Sequence, residues 1–133
     1  MKLLLDTHIA LWAASDDAKL SRNARAMITD PDNTISVSVV SLWEIAIKQS
    51  IRGGRAVKDP LPLTLHDASE AFSESGFEVL DLTPDHVRAL ATLPLHHGDP
   101  FDRILIAQAR AESLSLLTSD RKLPAYGTGV IAV

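Results

Sequence analysis

The sequence predicts an α/β sandwich, a mostly parallel central sheet flanked by helices. Three observations carry that expectation. Short apolar or β-branched runs alternate with segments of helical periodicity along the chain. Turn-forming residues, such as Asp30-Pro31-Asp32-Asn33 and Gly53-Gly54, fall between those segments rather than inside them. Two of the apolar runs stop at or just before an aspartate, Asp6 and Asp120.

Lys2 to Leu5 reads as a short buried strand, and Ile9, Leu11, Trp12, Ala13 and Ala14 predict a helix starting near Thr7. Ser21 to Ile28 predicts a second helix, closed by the turn at Asp30. Thr34 to Val39 is β-branched and alternating, which predicts a strand. Ser41 to Ile51 then places Leu42, Trp43, Ile45, Ala46 and Ile47 at helical spacing, up to Gly53. Arg52 to Pro62, with glycines, prolines and basic residues, reads as a loop or arm. His66 to Ser75 predicts a helix stopped at Gly76, and Phe77 to Leu82 a strand. Thr83-Pro84-Asp85 opens the next helix with a threonine cap and proline at the first helical position, and that helix ends before Pro94. From Asp99 onward Ile104, Leu105, Ile106, Ala107 and Ala109 mark an apolar helix face. Leu114 to Thr118 and Val130 to Val133 complete the strands.

A chain of 133 residues with 46% apolar residues is long enough for one domain, residues 1–133, with a single well-covered core. It contains no cysteine, which removes thiolate catalysis, zinc-thiolate sites and iron–sulfur clusters. The apolar stretch after Lys2 is broken at Asp6 and His8, unlike a signal peptide, and no window has the apolar length of a membrane span. A cytoplasmic protein without a membrane partner is expected. Net charge is −4, which weighs against a polyanionic partner only if the acids are unneutralised. Cations bound by those acids would themselves attract phosphate.

Asp6, Glu44, Asp102 and Asp120 are the residues that raise this possibility. Each also has a purely structural reading. Asp6 suits a helix N-cap, Ser41-Leu42-Trp43-Glu44 matches a capping box, and Asp99-Pro100 places Asp102 at the third helical position. Asp120 suits a cap of the turn Arg121-Lys122-Leu123. Jointly they mean more, because the carboxyl ends of parallel strands and the amino ends of the following helices share one rim. Two unit charges about 5 Å apart repel by roughly 3 kcal/mol at an effective dielectric of about 20. Four carboxylates on one rim therefore call for raised pKa values, basic partners or cations. Oxygen ligation of this kind suits Mg²⁺ or Mn²⁺, and the chemistry such a site supports best is metal-assisted phosphodiester hydrolysis.

The segments LLLDTHIALW, SVVSLWEIAIK, HHGDPFDRILIAQA and LLTSD also resemble, in the same order, the PIN-domain ribonucleases, in particular the VapC-type toxins of bacterial toxin–antitoxin pairs. DPFDRILIAQA is the most specific of them. The resemblance implies a PIN-like α/β/α domain, Mg²⁺- or Mn²⁺-dependent endoribonuclease activity and a homodimer. It also implies a small VapB-like antitoxin that inserts a segment into the active-site groove. Carried over by position, the family's acids fall on Asp6, Glu44, Asp102 and Asp120, with Asp99 an alternative for the third.

In the corresponding roles Asp6, with Asp102 or Asp120, holds the principal cation, and Glu44 positions or deprotonates the attacking water. The remaining acid completes the shell or recruits a second ion. Thr7 and Ser119 flank two of the acids, so their hydroxyls are candidates for orienting a carboxylate or a water, although both also suit caps and turns. Arg103, Lys48, Arg52 and Arg55 are candidate phosphate or RNA contacts, with Lys58 in the same basic stretch. For Arg103 a structural ion pair fits equally well. Trp12 and Trp43 read as core or dimer packing. His96 and His97 adjoin Asp99, but adjacent side chains diverge and no second histidine pair exists, so nitrogen ligation is not expected.

Three rivals remain open on sequence. A dehalogenase-like phosphoryl transferase needs a second acid two positions after the nucleophilic aspartate, where this chain has His8. A response-regulator receiver needs paired acids after the first strand, which are missing. A catalytically silent PIN-like interaction module is opposed by the retained acids.

Overall fold

The computed structural model describes residues 1–52 and 61–133. Its order is β1 (Lys2–Leu5), α1 (Thr7–Ala14), α2 (Arg22–Thr29), β2 (Thr34–Ser38), α3 (Val39–Arg52), α4 (Leu65–Glu74), β3 (Glu78–Leu80), α5 (Pro84–Ala91), α6 (Pro100–Ala111), β4 (Ser115–Thr118), a 3-10 helix (Leu123–Tyr126) and β5 (Val130–Ala132).

Leu3, Leu4 and Leu5 are fully buried in succession. An alternating strand hides one face, whereas three consecutive buried leucines require cover on both, the environment of a central parallel strand. β1 is that strand: the sheet runs β3-β2-β1-β4-β5 and every pairing is parallel. Leu3 and Leu5 pack with Ile9 and Leu11 of α1, Ala24 of α2 and Phe72 of α4. Leu4 points the other way, into Leu105, Ile106 and Ala109 of α6 and Leu116. Burying each leucine contributes about 2 kcal/mol, so β1 is the keel of both helical layers. Among the described residues no helix is long and apolar enough to cross a membrane.

The strand order reverses beside β1. The chain builds outward through β2 and β3, then returns to add β4 and β5 on the other side. The carboxyl ends of β1 and β4 flank that reversal, the place where open parallel sheets bind ligands.

Local chemistry moves several boundaries from their expected positions. The strand expected over Thr34 to Val39 stops at Ser38, and α3 begins at once with Val39. Ser38 Oγ accepts from the Val40 amide at 3.0 Å, so serine caps a helix that the β-branched Val39-Val40 pair disguises as strand. Ser41 therefore lies inside the helix, the capping box with Glu44 does not form, and Glu44 sits in the second helical turn. Thr64 caps α4, starting it one residue before His66, and Gly76, at φ +74°, takes the left-handed conformation that ends it. β3 is shorter than the predicted Phe77 to Leu82. The caps at Asp6, at Thr83 with Pro84 and at Asp99 with Pro100 form as expected, and Ser21, expected inside the second helix, caps it instead. The turn after Asp120 continues into the 3-10 helix, and Asp120 Oδ1 accepts from the Lys122 amide at 2.9 Å.

Behind the rim lies a buried polar chain. Ser38 donates to Gln108 Oε1 at 2.6 Å, the Gln108 amide nitrogen lies 3.3 Å from His86 Nδ1, and His86 Nε2 lies 2.7 Å from Glu112 Oε1. It ties β2 to α6 and α5 through the fold.

Candidate active site

Asp6 follows the last residue of β1 and caps α1, its Oδ1 accepting from the Ile9 amide at 2.8 Å. Its Oδ2 accepts from Thr118 Oγ1 at 2.5 Å, and the Ser119 amide also favours the charged carboxylate. The register explains the pair: Leu5 faces Leu117 across the β1/β4 ladder, so the next residues, Asp6 and Thr118, meet. Burial raises the Asp6 carboxyl from its usual 3.8 to about 6, with the Glu44 charge adding to the rise and the Thr118, Ile9 and Ser119 bonds opposing it.

Glu44 reaches the same place from the second turn of α3 and is buried. Its Oε1 lies 2.7 Å from Thr7 Oγ1, which is 2.9 Å from Ser41 Oγ. A carboxylate only accepts, so the single Thr7 proton goes to Glu44 and Ser41 supplies the other bond. Lys48, one turn on, donates to Glu44 Oε2 at 2.5 Å. Lys48 therefore pairs with Glu44.

Asp102 enters from the first turn of α6. Its carboxyl is raised to about 6, by burial first and then by the charges of Asp99 and Asp6, with His97 opposing the rise. Asp99 is exposed and occupied as the α6 cap, its Oδ1 accepting from the Phe101 amide at 2.8 Å. The two acids of DPFDR thus stand in different places, Asp99 outside and Asp102 against the cluster.

Asp120 completes the group from the end of β4, where its amide donates to Thr118 Oγ1 at 3.0 Å. Ligand atoms of His97, Asp102 and Asp120 lie within 4.8 Å of one another. Donors around one divalent ion with bonds of about 2.1 Å span up to about 4.2 Å across it, so the set fits such an ion after small adjustments.

Several expectations are revised here. Arg103 donates to the Pro94 carbonyl at 2.9 Å and to the Tyr126 hydroxyl at 3.0 Å, so it braces the loop before α6 instead of facing the rim unpaired. The Ser119 contribution to Asp6 comes from its backbone amide; the hydroxyl that orients this carboxylate is that of Thr118. Trp43 is 57% exposed and meets the Phe101 ring edge-on at a centroid distance of 5.2 Å, so it is not a core residue. Trp12 does pack against the core. The Arg52 side chain, Arg55, Lys58 and most of the expected loop from Arg52 to Pro62 lie outside the described residues.

Sequence reasoning missed Thr118, gave Ser41 only as a cap, and set His97 aside as a ligand. Thr118 becomes visible only when β1 and β4 are paired at their carboxyl ends, and Ser41 only when α3 is started at Val39. His97 follows once Asp102 is placed in the first turn of α6, because a loop of a few residues folds back onto that turn.

Comparisons with known proteins agree with this geometry. Residues 3–128 match the PIN domain family. The chain is 29% identical over 126 residues to Ribonuclease VapC22 of Mycobacterium tuberculosis, spanning 93% of this chain and 91% of that protein. Its fold resembles that in the crystal structure of VapBC2 from Rickettsia felis bound to a DNA fragment from their promoter. There the TM-score is 0.67 at 17% identity, over 100% of this chain and 98% of the other. A toxin–antitoxin complex from Klebsiella pneumoniae gives 0.64 at 20% identity, over 98% and 96%.

Proposed function

The chain belongs to the PIN domain family, and from that premise we propose that it is a Mg²⁺- or Mn²⁺-dependent endoribonuclease, the toxin of a toxin–antitoxin pair. The supporting observations are that Asp6 feels the charge of Glu44 and Asp102 that of Asp6, and that Asp102 and Asp120 approach one another beside His97, near the reversal point of a parallel sheet. Membership leaves the receiver and dehalogenase-like readings without support. The name of the M. tuberculosis relative, a ribonuclease, favours RNA as substrate, and the toxin–antitoxin complex from K. pneumoniae favours a small VapB-like antitoxin as partner.

In this reading residues 1–133 form one PIN-like domain, which acts in the cytoplasm as a homodimer. Asp6, Asp102 and Asp120 hold the cation, and Asp99 caps α6 beside them. A divalent ion held there would supply Lewis acidity, making water easier to deprotonate and offsetting negative charge on the phosphate oxygens. The protein's own part is orientation. The Ile9 amide and Thr118 hydroxyl each hold one oxygen of Asp6, so that carboxylate cannot rotate away. Thr7 and Lys48 hold Glu44 in the same manner. Each Glu44 oxygen keeps a second lone pair, enough to accept a hydrogen bond from an attacking water and orient it, while the Lys48 ammonium offsets the carboxylate charge.

Purified protein should cleave RNA with Mg²⁺ or Mn²⁺, stop in chelator, and lose activity as Asp6→Asn or Asp102→Asn while remaining folded. Metal-independent cleavage, or full activity in Asp6→Asn, rejects the mechanism.

A further inference from the structure

We propose that His97 is a nitrogen ligand of this cation site, forming with Asp102 and Asp120 a mixed imidazole and carboxylate set that prefers Mn²⁺ to Mg²⁺. The proposal rests on the metal-dependent reading above and goes beyond it in the identity of a ligand and of the ion.

His97 Nε2 lies 3.0 Å from Asp102 Oδ2 and 3.9 Å from Asp120 Oδ2, between carboxylates contributed by α6 and by the turn after β4. All three side chains are partly buried, with His97 19% exposed. With its proton on Nε2 the ring donates to Asp102; in the other tautomer the same nitrogen offers a lone pair beside the oxygens of two carboxylates, a donor set that a divalent cation can bridge.

The loop that delivers the imidazole is anchored on both sides. The His96 amide donates to the Tyr126 hydroxyl at 3.1 Å, and the His96 and Tyr126 rings meet edge-on at 5.0 Å. Arg103 clamps the Pro94 carbonyl to the same hydroxyl, and Asp99 fixes the far end by capping α6. Adjacent histidines therefore do different work: His96 docks the loop on the 3-10 helix, and His97 turns to the acids. This divergence, which at first weighs against ligation by the pair, is what frees one of them for it.

An all-oxygen site suits Mg²⁺, which keeps its waters and sheds them reluctantly. Replacing one oxygen with imidazole nitrogen shifts the balance toward Mn²⁺ and the later divalent metals. A histidine that only oriented Asp102 would instead weaken all cations alike when removed.

The test is electron spin-echo spectroscopy of the full-length protein loaded with Mn²⁺, alongside equilibrium titrations with Mn²⁺ and with Mg²⁺. Wild type should show ¹⁴N modulation from a directly bound nitrogen. His97→Gln, folded by circular dichroism, should lose it and bind Mn²⁺ about tenfold more weakly, with the Mg²⁺ affinity changed less than about threefold. Bound Mn²⁺ without nitrogen coupling in wild type overturns the proposal whether or not the variant folds. So does coupling that survives in His97→Gln, or equal weakening of both ions. Those outcomes leave the carboxylate site standing. Mn²⁺ binding unchanged in Asp102→Asn, or absent from wild type, overturns the metal-site reading itself and His97 with it.

Discussion

The Thr118 hydroxyl donates to Asp6 Oδ2 across 2.5 Å and accepts from the Asp120 amide at 3.0 Å, so one buried oxygen links two acids of the cluster. Thr118→Val keeps the shape and removes both bonds. Hydrogen bonds to charged groups are worth about 1.5–3 kcal/mol, and a loss of stability in that range is expected by urea denaturation at near-neutral pH. The Asp6 carboxyl should also become harder to ionise, moving the acid limb of the pH–rate profile upward. Thr118→Ser should restore both. A Val variant as stable as wild type with the same profile would show that the hydroxyl is idle.

The raised Asp6 carboxyl has a signed effect on stability. Its folded value of about 6 exceeds the usual 3.8, so the folded state favours the protonated form. That preference stabilises the metal-free fold fully below about pH 4 and is lost as pH rises through about 6. The shift corresponds to about 3 kcal/mol. Asparagine caps a helix as well as aspartate and carries no buried charge. In chelator at about pH 7.5, Asp6→Asn should therefore melt higher than wild type, by an increment that shrinks as pH falls below about 6. An increment independent of pH, or a lower melting temperature throughout, contradicts this account.

Cation binding to the same acids must displace protons at low pH. Both Asp6 and Asp102 are raised to about 6, so the apparent affinity for Mn²⁺ should fall steeply between about pH 7 and pH 5. Titration calorimetry in buffers of different ionisation enthalpy should count protons released near pH 6. Affinity unchanged across that window would remove these two acids from the site.

Asp99 and Asp102 make a contrast within one motif. Asp99→Asn preserves the α6 cap and should keep activity within about threefold, with stability changed by a few tenths of a kcal/mol. Asp102→Asn should lose at least about a hundredfold in rate while remaining folded. The reverse pattern transfers the third metal-site acid to Asp99.

The polar chain behind the rim predicts a structural lesion. Gln108→Leu strands the buried Ser38 hydroxyl and the Asp81 carbonyl that Gln108 serves. About 2 kcal/mol of destabilisation is expected, on the scale of an unsatisfied buried group, readable as a lower urea midpoint with an unchanged slope.

What could be read from the chain follows the range of each interaction. Asp6, Thr83 and Asp99 cap their helices through bonds two or three residues long, and their local signals were sufficient. Lys2 to Leu5 reads as a buried strand from its apolar run, while its central position follows only from its pairing with β2 and β4. Glu44 misled for a related reason. Its S-x-x-E spacing imitates a local box, while its real partners are Lys48, one turn later, and Thr7, at the start of another helix. Thr118 is hidden likewise, and His97, visible beside Asp99, cannot be told from His96 by sequence, because their meaning lies in the pairing of β1 with β4 and in the loop before α6. Asp102 was readable as a first-turn acid, but its difference from Asp99 depends on which side of α6 faces the rim.

β2 passes into α3 at Ser38 and Val39 with no residue between them. A helix advances about 100° per residue, so a one-residue insertion at this corner, with the sheet and the helix both held in place, would swing Glu44 about a quarter-turn around α3 and separate it from Thr7. A deletion would swing it the other way. The length of chain is therefore as constrained here as the Ser38 side chain, which makes this junction a place where evolution cannot insert. The same constraint defines where a grafted loop or tag must not go.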